Sequence, residues 1–238
     1  MNVLIVGATG GSGRAATAAA LAAGHRVTAF SRRASALLAE HPRVVAIDGD
    51  VMDPGQVAAA VEGQDAVIVT LGISENALRV RLLGSRSTPM DVRSAGTRNV
   101  ISAMQSHGVR RLLVQTSYGV GPTRDRLPLV ERIVFTLLLR PQIADTAVQE
   151  REVRGSALDW TIVQPVNLAG HDVGSLPHAS LDGNVRGMKV ARRSVGRFLV
   201  AALRDDRLTR RSVALSGTGE GLVMAPGPQA SQDSEVRT

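Results

Sequence analysis

The chain has no cysteine among its 238 residues, which excludes disulfides and thiolate metal sites and suits a reducing compartment. Aromatic residues are almost as scarce: three Phe, one Tyr and one Trp leave little with which to stack nucleic-acid bases. Lysine occurs once, at Lys189, so the net charge of +7 rests on arginines spread along the chain rather than on a basic patch. That distribution argues against a nucleic-acid partner despite the sign of the charge. Long apolar runs are missing as well. The most apolar stretch away from the N-terminus, residues 133–139 (IVFTLLL), falls well short of the roughly 20 residues a membrane span needs. The N-terminal apolar run has no basic segment before it and ends at once in glycines, unlike a secretory signal. No spacing of His, Asp and Glu marks a metal site. The expectation is a soluble cytoplasmic protein, a monomer or homodimer with no membrane, nucleic-acid or metal partner.

What the sequence does contain is an alternation of short β-rich runs and longer helical stretches. Strands are expected at Val3–Val6, Arg26–Phe30, Val44–Ile47, Ala66–Leu71, Arg111–Thr116, Thr161–Val163 and Ser212–Leu215. Helices are expected at Arg14–Ala23, Ala34–Glu40, Pro54–Glu62, Asp91–His107, Leu129–Leu139, Ala144–Arg154 and Ser194–Leu203. Gly24 and Gly108 stand where helices would stop, and Pro54 where one would start. Continuous apolar strands between helices mean a parallel sheet covered on both faces. The expected fold is a single α/β domain, doubly wound, over residues 1–221. The tail, 222–238, is expected to be disordered because it has few core residues.

The first strand runs directly into "VGATGGSG", residues 6–13, with glycines at 7, 10 and 13. A strand, this glycine spacing and a helix form a cradle for a dinucleotide pyrophosphate. Glycine lets the backbone approach the phosphates, while the helix N-terminus offers N–H groups and a favourable dipole. The end of the second strand selects the dinucleotide. An NAD-preferring site places an acid there for the ribose hydroxyls. Here the chain reads Ser31-Arg32-Arg33, a hydroxyl and two guanidiniums that suit a 2′-phosphate, so NADPH/NADP⁺ is expected over NADH.

Several segments in order, "VGATGGSGRA", "TAFSRR", "IDGDVMD", "VIVTLG", "GTRNVISAMQSHGVRRLLVQTS" and "SALDWTIVQPVNL", carry a family resemblance over about residues 1–217. Together they resemble the atypical short-chain dehydrogenase/reductases, the NAD(P)H-binding NmrA-like group that includes flavin and biliverdin-IXβ reductases. The resemblance implies a Rossmann-type fold. It also implies that Gly7, Thr9, Gly10, Ser12 and Gly13 line the pyrophosphate and that Arg32 takes the 2′-phosphate. Asp50 and Val51 would flank adenine, Leu71 and Gly72 a ribose, and Pro165, Val166 and Asn167 the nicotinamide side. Ser117 stands where the family's active-site serine or threonine does, and its hydroxyl would face charge developing on a substrate oxygen.

The acid/base pair of the standard short-chain enzymes, Tyr-x-x-x-Lys, is absent. Tyr118 is the sole tyrosine and position 122 is Pro. The lysine that many atypical relatives carry four residues before a helical Glu is also missing, since Thr146 precedes Glu150. Proton donation would fall to Tyr118, to His171 or His178 in the loop after the sixth strand, or to water. Asp145 and Glu150 read as charges on a helix surface. The catalytic candidates are therefore Ser117 and Tyr118. The expected activity is NADPH-dependent reduction of a small carbonyl, quinone or flavin-like acceptor, with segments 74–89, 118–145 and 170–190 shaping the pocket. A redox-sensing NmrA-like regulator without turnover and a cofactor-assisted isomerase or epimerase remain open alternatives.

Overall fold

Nine strands stand side by side in one sheet in the order β3-β2-β1-β4-β5-β6-β8-β7-β9. The computed structural model describes residues 1–73, 88–127, 140–169, 171–172, 174–217 and 222–223. The strands are β1 (Asn2–Val6), β2 (Arg26–Ser31), β3 (Val45–Asp48), β4 (Ala66–Val69), β5 (Arg111–Gln115), β6 (Asp159–Pro165), β7 (His178–Ser180), β8 (Arg211–Ser216) and β9 (Leu222–Val223). The described helices are α1 (Gly11–Ala22), α2 (Pro54–Val61), α3 (Val92–Ser106), α4 (Arg140–Gly155) and α5 (Arg192–Ala202). The first six strands and β8 run parallel, with β1 flanked by β2 and β4. Successive connections from β1 lead toward one edge, and those from β4 lead toward the other. The carboxyl ends of β1 and β4 thus flank the crevice where open α/β sheets take ligands.

Burial explains why these segments form strands. Val3, Leu4 and Ile5 of β1 and Val67, Ile68 and Val69 of β4 are fully buried, because helices cover both faces of the sheet. Each such aliphatic side chain contributes about 1.5–3 kcal/mol on burial. α1 and α5 pack on one face, where Val195 and Leu199 of α5 join Val3 and Ile5 of β1 in one core cluster. α2, α3 and α4 cover the other face, where Val100 of α3 and Val153 of α4 join Leu4 and Val6 of β1. α2 starts where Pro54 and its cap predict: the Asp53 side chain accepts hydrogen bonds from the Gly55 and Gln56 amides at 2.8 and 3.1 Å.

Several boundaries differ from the sequence reading. α1 begins at Gly11 rather than Arg14, so the glycines themselves form its first turn. The helix expected at Ala34–Glu40 is a short 3₁₀ turn over Ala34–Leu37, tied to the end of β3 by the Asp48 carboxylate, which accepts from the Ser35 amide and hydroxyl, each at 2.8 Å. His178 does not lie in a loop. It begins β7, antiparallel to β8, in a strand of three residues that is too short to show a period-2 pattern. Leu222–Val223, assigned by the sequence reading to the tail, pairs in parallel with β7. The helix expected at Leu129–Leu139 and most of the tail lie outside the described residues. Among the described residues no helix is long and apolar enough to cross a membrane.

Candidate active site

The turn after β1 is shaped by two close approaches. Gly7 has φ +79°, and a Cβ there would stand 3.0 Å from the Thr70 carbonyl oxygen at the end of β4. A Cβ on Gly13 would press into the Gly7 carbonyl and the Ala8 backbone, so only glycine lets α1 fold back this tightly onto the strand. Gly10 is the N-cap of α1 and offers no side-chain cap, and no acid occupies the first turn. Among the described residues nothing accepts from the Gly11, Ser12 or Gly13 amides. An anion is what such a helix end binds.

These residues open onto a cleft of about 340 Å³ above the carboxyl ends of β1, β4, β5 and β6. Gly10, Ser12, Leu71 and Gly72 line one side, and Ser117, Tyr118, Pro165, Val166 and Asn167 line the other. Backbone hydrogen bonds hold the far wall in register: Thr116 N–H donates to the Val163 carbonyl at 2.8 Å, and Tyr118 N–H to the Pro165 carbonyl at 3.0 Å. Gln115 reaches across to the near wall, its Nε2 donating to Ser12 Oγ at 3.0 Å.

The remaining sequence-predicted residues sit toward the β2–β3 edge, outside the lining of this cleft. Thr9 Oγ1 donates to Ser31 Oγ at 3.1 Å, joining the glycine turn to the end of β2. Arg32 follows directly and donates from Nη2 to Thr88 Oγ1 at 3.0 Å. Asp50 receives the Met52 amide at 3.0 Å, and the Val51 carbonyl accepts from Asn99 Nδ2 at 2.9 Å. The glycine turn, Arg32 and Asp50–Val51 thus form a shelf beside the cleft, with an arginine rather than an acid following β2. The open helix end and the glycine turn fit the pyrophosphate of a dinucleotide.

Ser117 is half-buried on the cleft wall, its hydroxyl donating to the Tyr118 carbonyl at 3.2 Å. Tyr118 is almost fully buried and its hydroxyl donates to the Gly183 carbonyl at 3.0 Å. Burial pushes its phenol above the ordinary value of 10.0, against a smaller opposing effect from Arg126. Tyr118 is therefore a neutral donor with its proton already engaged. The two histidines considered as acids do not line the cleft. His178 is buried, which pushes its imidazole below the ordinary 6.5 and keeps it neutral, while His171 is exposed. Among the described residues no His, Asp or Glu group could hold a metal.

Asp145 and Glu150 are not surface charges. Both are buried on the inner face of α4. Asp145 caps α3 from outside that helix, accepting from the Arg93 and Ser94 amides at 3.1 and 3.2 Å and from Ser94 Oγ at 2.5 Å. Glu150 lies behind the cleft wall and accepts from Thr116 Oγ1 (2.7 Å), Gln164 Nε2 (2.8 Å) and Arg154 Nη2 (2.9 Å). Two arginines in the cleft lining were missed by the sequence reading, Arg93 at the start of α3 and Arg192 at the start of α5. A Cβ on Gly11 would lie 3.1 Å from Arg192 Nε, which places that guanidinium beside the N-terminus of α1. Nothing in a lone arginine's sequence context marks it as facing a site. Only the topology brings these two there.

A doubly wound sheet with a glycine cradle at its switch point and a cleft over its carboxyl ends defines a dinucleotide-binding protein. Residues 7–206 match the model of a family described as NAD(P)H-binding, and the chain belongs to that family. Among curated relatives it is 34% identical over 126 residues to a 3 beta-hydroxysteroid dehydrogenase/Delta 5-->4-isomerase of Mycobacterium tuberculosis, a match covering 50% of this chain. That match covers 32% of the relative, so the chain spans about a third of its length. Among solved structures, a short-chain dehydrogenase/reductase of Veillonella parvula superposes with a TM-score of 0.73 at 19% identity, covering 92% of this chain and 94% of the other. ChuY, an anaerobillin reductase of Escherichia coli, superposes with a TM-score of 0.70 at 24% identity, covering 91% and 97%. The NAD(P)H-binding family and the Rossmann-type fold expected from the motifs are borne out.

Proposed function

We propose that the protein is an NADPH-dependent reductase of a small carbonyl, quinone or flavin-like acceptor, with Ser117 as the group that meets the acceptor oxygen. The observation that carries this reading is a cleft that has the open, glycine-rich start of α1 on one wall and the Ser117 hydroxyl on the other, with an arginine rather than an acid following β2 beside it. Arg32 binds the 2′-phosphate and gives the preference for NADPH, since an acid there would repel it. The open amides of α1 and the Arg192 guanidinium hold the pyrophosphate. NADPH, when bound, would supply a hydride to the electrophilic centre of the acceptor, and solvent water would supply the proton that completes the reduction. Ser117 then rotates its hydroxyl from the Tyr118 carbonyl to donate to the acceptor oxygen as negative charge grows there. Pro165, Val166 and Asn167 wall the nicotinamide side, and Leu71 and Gly72 the ribose. Tyr118 acts as a proton donor only by releasing the Gly183 carbonyl, so its main contribution is to shape the cleft.

That engaged tyrosine, with Pro122 where a lysine would acidify it, favours one second reading: a sensor that binds NADP(H) without turnover. A panel of ketones, quinones and flavins tests the choice, with NADPH oxidation followed optically and cofactor affinity measured separately. The reductase reading predicts oxidation with at least one acceptor class. If nothing in the panel oxidises NADPH while NADPH and NADP⁺ bind with very different affinities, the protein is a sensor.

A further inference from the structure

Arg93 is the charged group of the cleft that the cofactor shelf does not use. It leaves the first turn of α3 and reaches back over the end of β4, where Nη1 donates to the Leu71 carbonyl at 2.8 Å. Its guanidinium lies flat against Gly72: a Cβ there would stand 3.1 Å from Nη2. That one hydrogen bond is the only one the guanidinium makes among the described residues, although it carries five N–H donors. Nε is fully buried and has no acceptor. The neighbouring Asp145 carboxylate does not supply one: its hydrogen bonds come from two backbone amides and the Ser94 hydroxyl, and none comes from the guanidinium. A desolvated guanidinium left this short of acceptors is costly unless something completes it. Burial accordingly holds Arg93 below the ordinary guanidinium value, with Asp145 opposing.

The surroundings define the missing partner. Arg93 opens into the same cleft as Ser117, and no Asp or Glu is among the described residues that line it. Among the described residues the cleft therefore offers two guanidiniums, of which Arg192 stands beside the N-terminus of α1, together with neutral donors and no acid to repel an anion. We infer that Arg93 binds a carboxylate on the acceptor, so that the substrates are carbonyl or quinone compounds bearing an acid group. This rests on the reductase reading for the word substrate, but the anion site itself does not require turnover. Gly72 lets the guanidinium sit this close, since a Cβ there would make it give way by a few tenths of an ångström.

The test separates anion binding from catalysis. The protein saturated with NADP⁺ is titrated calorimetrically with 2-naphthoate and with 2-naphthamide, which share a ring system and differ in charge. The carboxylate is expected to bind roughly ten- to a hundred-fold more tightly than the amide, as a charge-assisted contact implies. Arg93→Met should bring that ratio close to one, and Arg93→Gln, which keeps a donor for the Leu71 carbonyl, should do the same without a change in melting temperature. The ratio for kcat/KM between a keto acid and its methyl ester should fall in parallel. Equal binding of the two probes by the wild type, or no binding of either, overturns the inference. So does an unchanged ratio in Arg93→Gln accompanied by weaker NADPH and NADH binding, which would assign the guanidinium to a cofactor phosphate. Failure of all acceptors to oxidise NADPH, with the naphthoate preference intact, would refute the reductase reading and leave the anion site standing.

Discussion

Replacing Glu150 by alanine should be among the most damaging changes available in α4. The carboxylate is 1% exposed and receives three hydrogen bonds, from Thr116, Gln164 and Arg154. Removing it leaves the buried Thr116 hydroxyl without an acceptor and takes from the Gln164 amide one of its two, the other being the Val120 carbonyl at 2.9 Å. Arg154 is less exposed to harm, because its side chain is 29% accessible and also donates to Ser212 Oγ at 3.0 Å. Breaking one partner out of a buried charged network costs about 3–5 kcal/mol. For a chain of this size each kcal/mol lowers Tm by roughly 2–4 °C, so the expected drop is roughly 6–20 °C. Glu150→Gln keeps the volume but offers the network an NH₂ in place of one acceptor, which should cost about 1–3 kcal/mol. Urea unfolding followed by far-UV circular dichroism measures both, and an unchanged m-value would show that the denatured state is not the cause. A loss below about 1 kcal/mol in Glu150→Ala, well under the cost of breaking such a network, would refute the claim that this group holds the β5 and β6 ends together.

Arg32→Ala should weaken NADPH binding by about 1.5–3 kcal/mol and leave NADH nearly unchanged, as read by calorimetry with each cofactor. Gly13→Ala should lower stability by roughly 1–3 kcal/mol and weaken both cofactors alike, because the obstructing atoms are backbone and cannot move aside as a side chain would. An acid limb of stability should trace in part to Asp172. The Arg197 guanidinium and, less strongly, the Gly174 amide lower its carboxyl from 3.8 to about 2. The folded value lies below the unfolded one, so this contribution is present above about pH 4 and is lost as pH falls toward 2. Arg197→Met should flatten that limb in acid titrations of unfolding, and a limb unchanged by the substitution would point to other carboxylates.

The parts of the molecule legible in the sequence are those governed by local rules. Continuous apolar runs such as Val3–Val6 became buried parallel strands because only a sheet covered on both faces accommodates them. The glycines at 7, 10 and 13 marked the cradle because two of them are required by backbone geometry that any side chain would violate. What stayed illegible depends on contacts far apart in the chain. Asp145 and Glu150 look like ordinary charged positions on a helix, and only the packing of α4 against α3 and β6 makes them caps and network centres. Arg93 and Arg192 are two of many arginines until the fold turns them toward one cleft. β7 was missed because three residues carry no periodicity, and its pairing with β8 joins segments separated by more than thirty positions.

The most direct test of the account is single-turnover NADPH oxidation by Ser117→Ala, with an acceptor found active on the wild type and bound cofactor monitored independently. Ser117 shares the cleft with the cofactor cradle but lies on the opposite wall. The account predicts a rate reduced by roughly ten- to a thousand-fold with NADPH affinity intact, since a donor to the acceptor oxygen acts only as charge develops. A Ser117→Ala variant as fast as the wild type, with unchanged acceptor affinity, would contradict the placement of the chemistry at the end of β5.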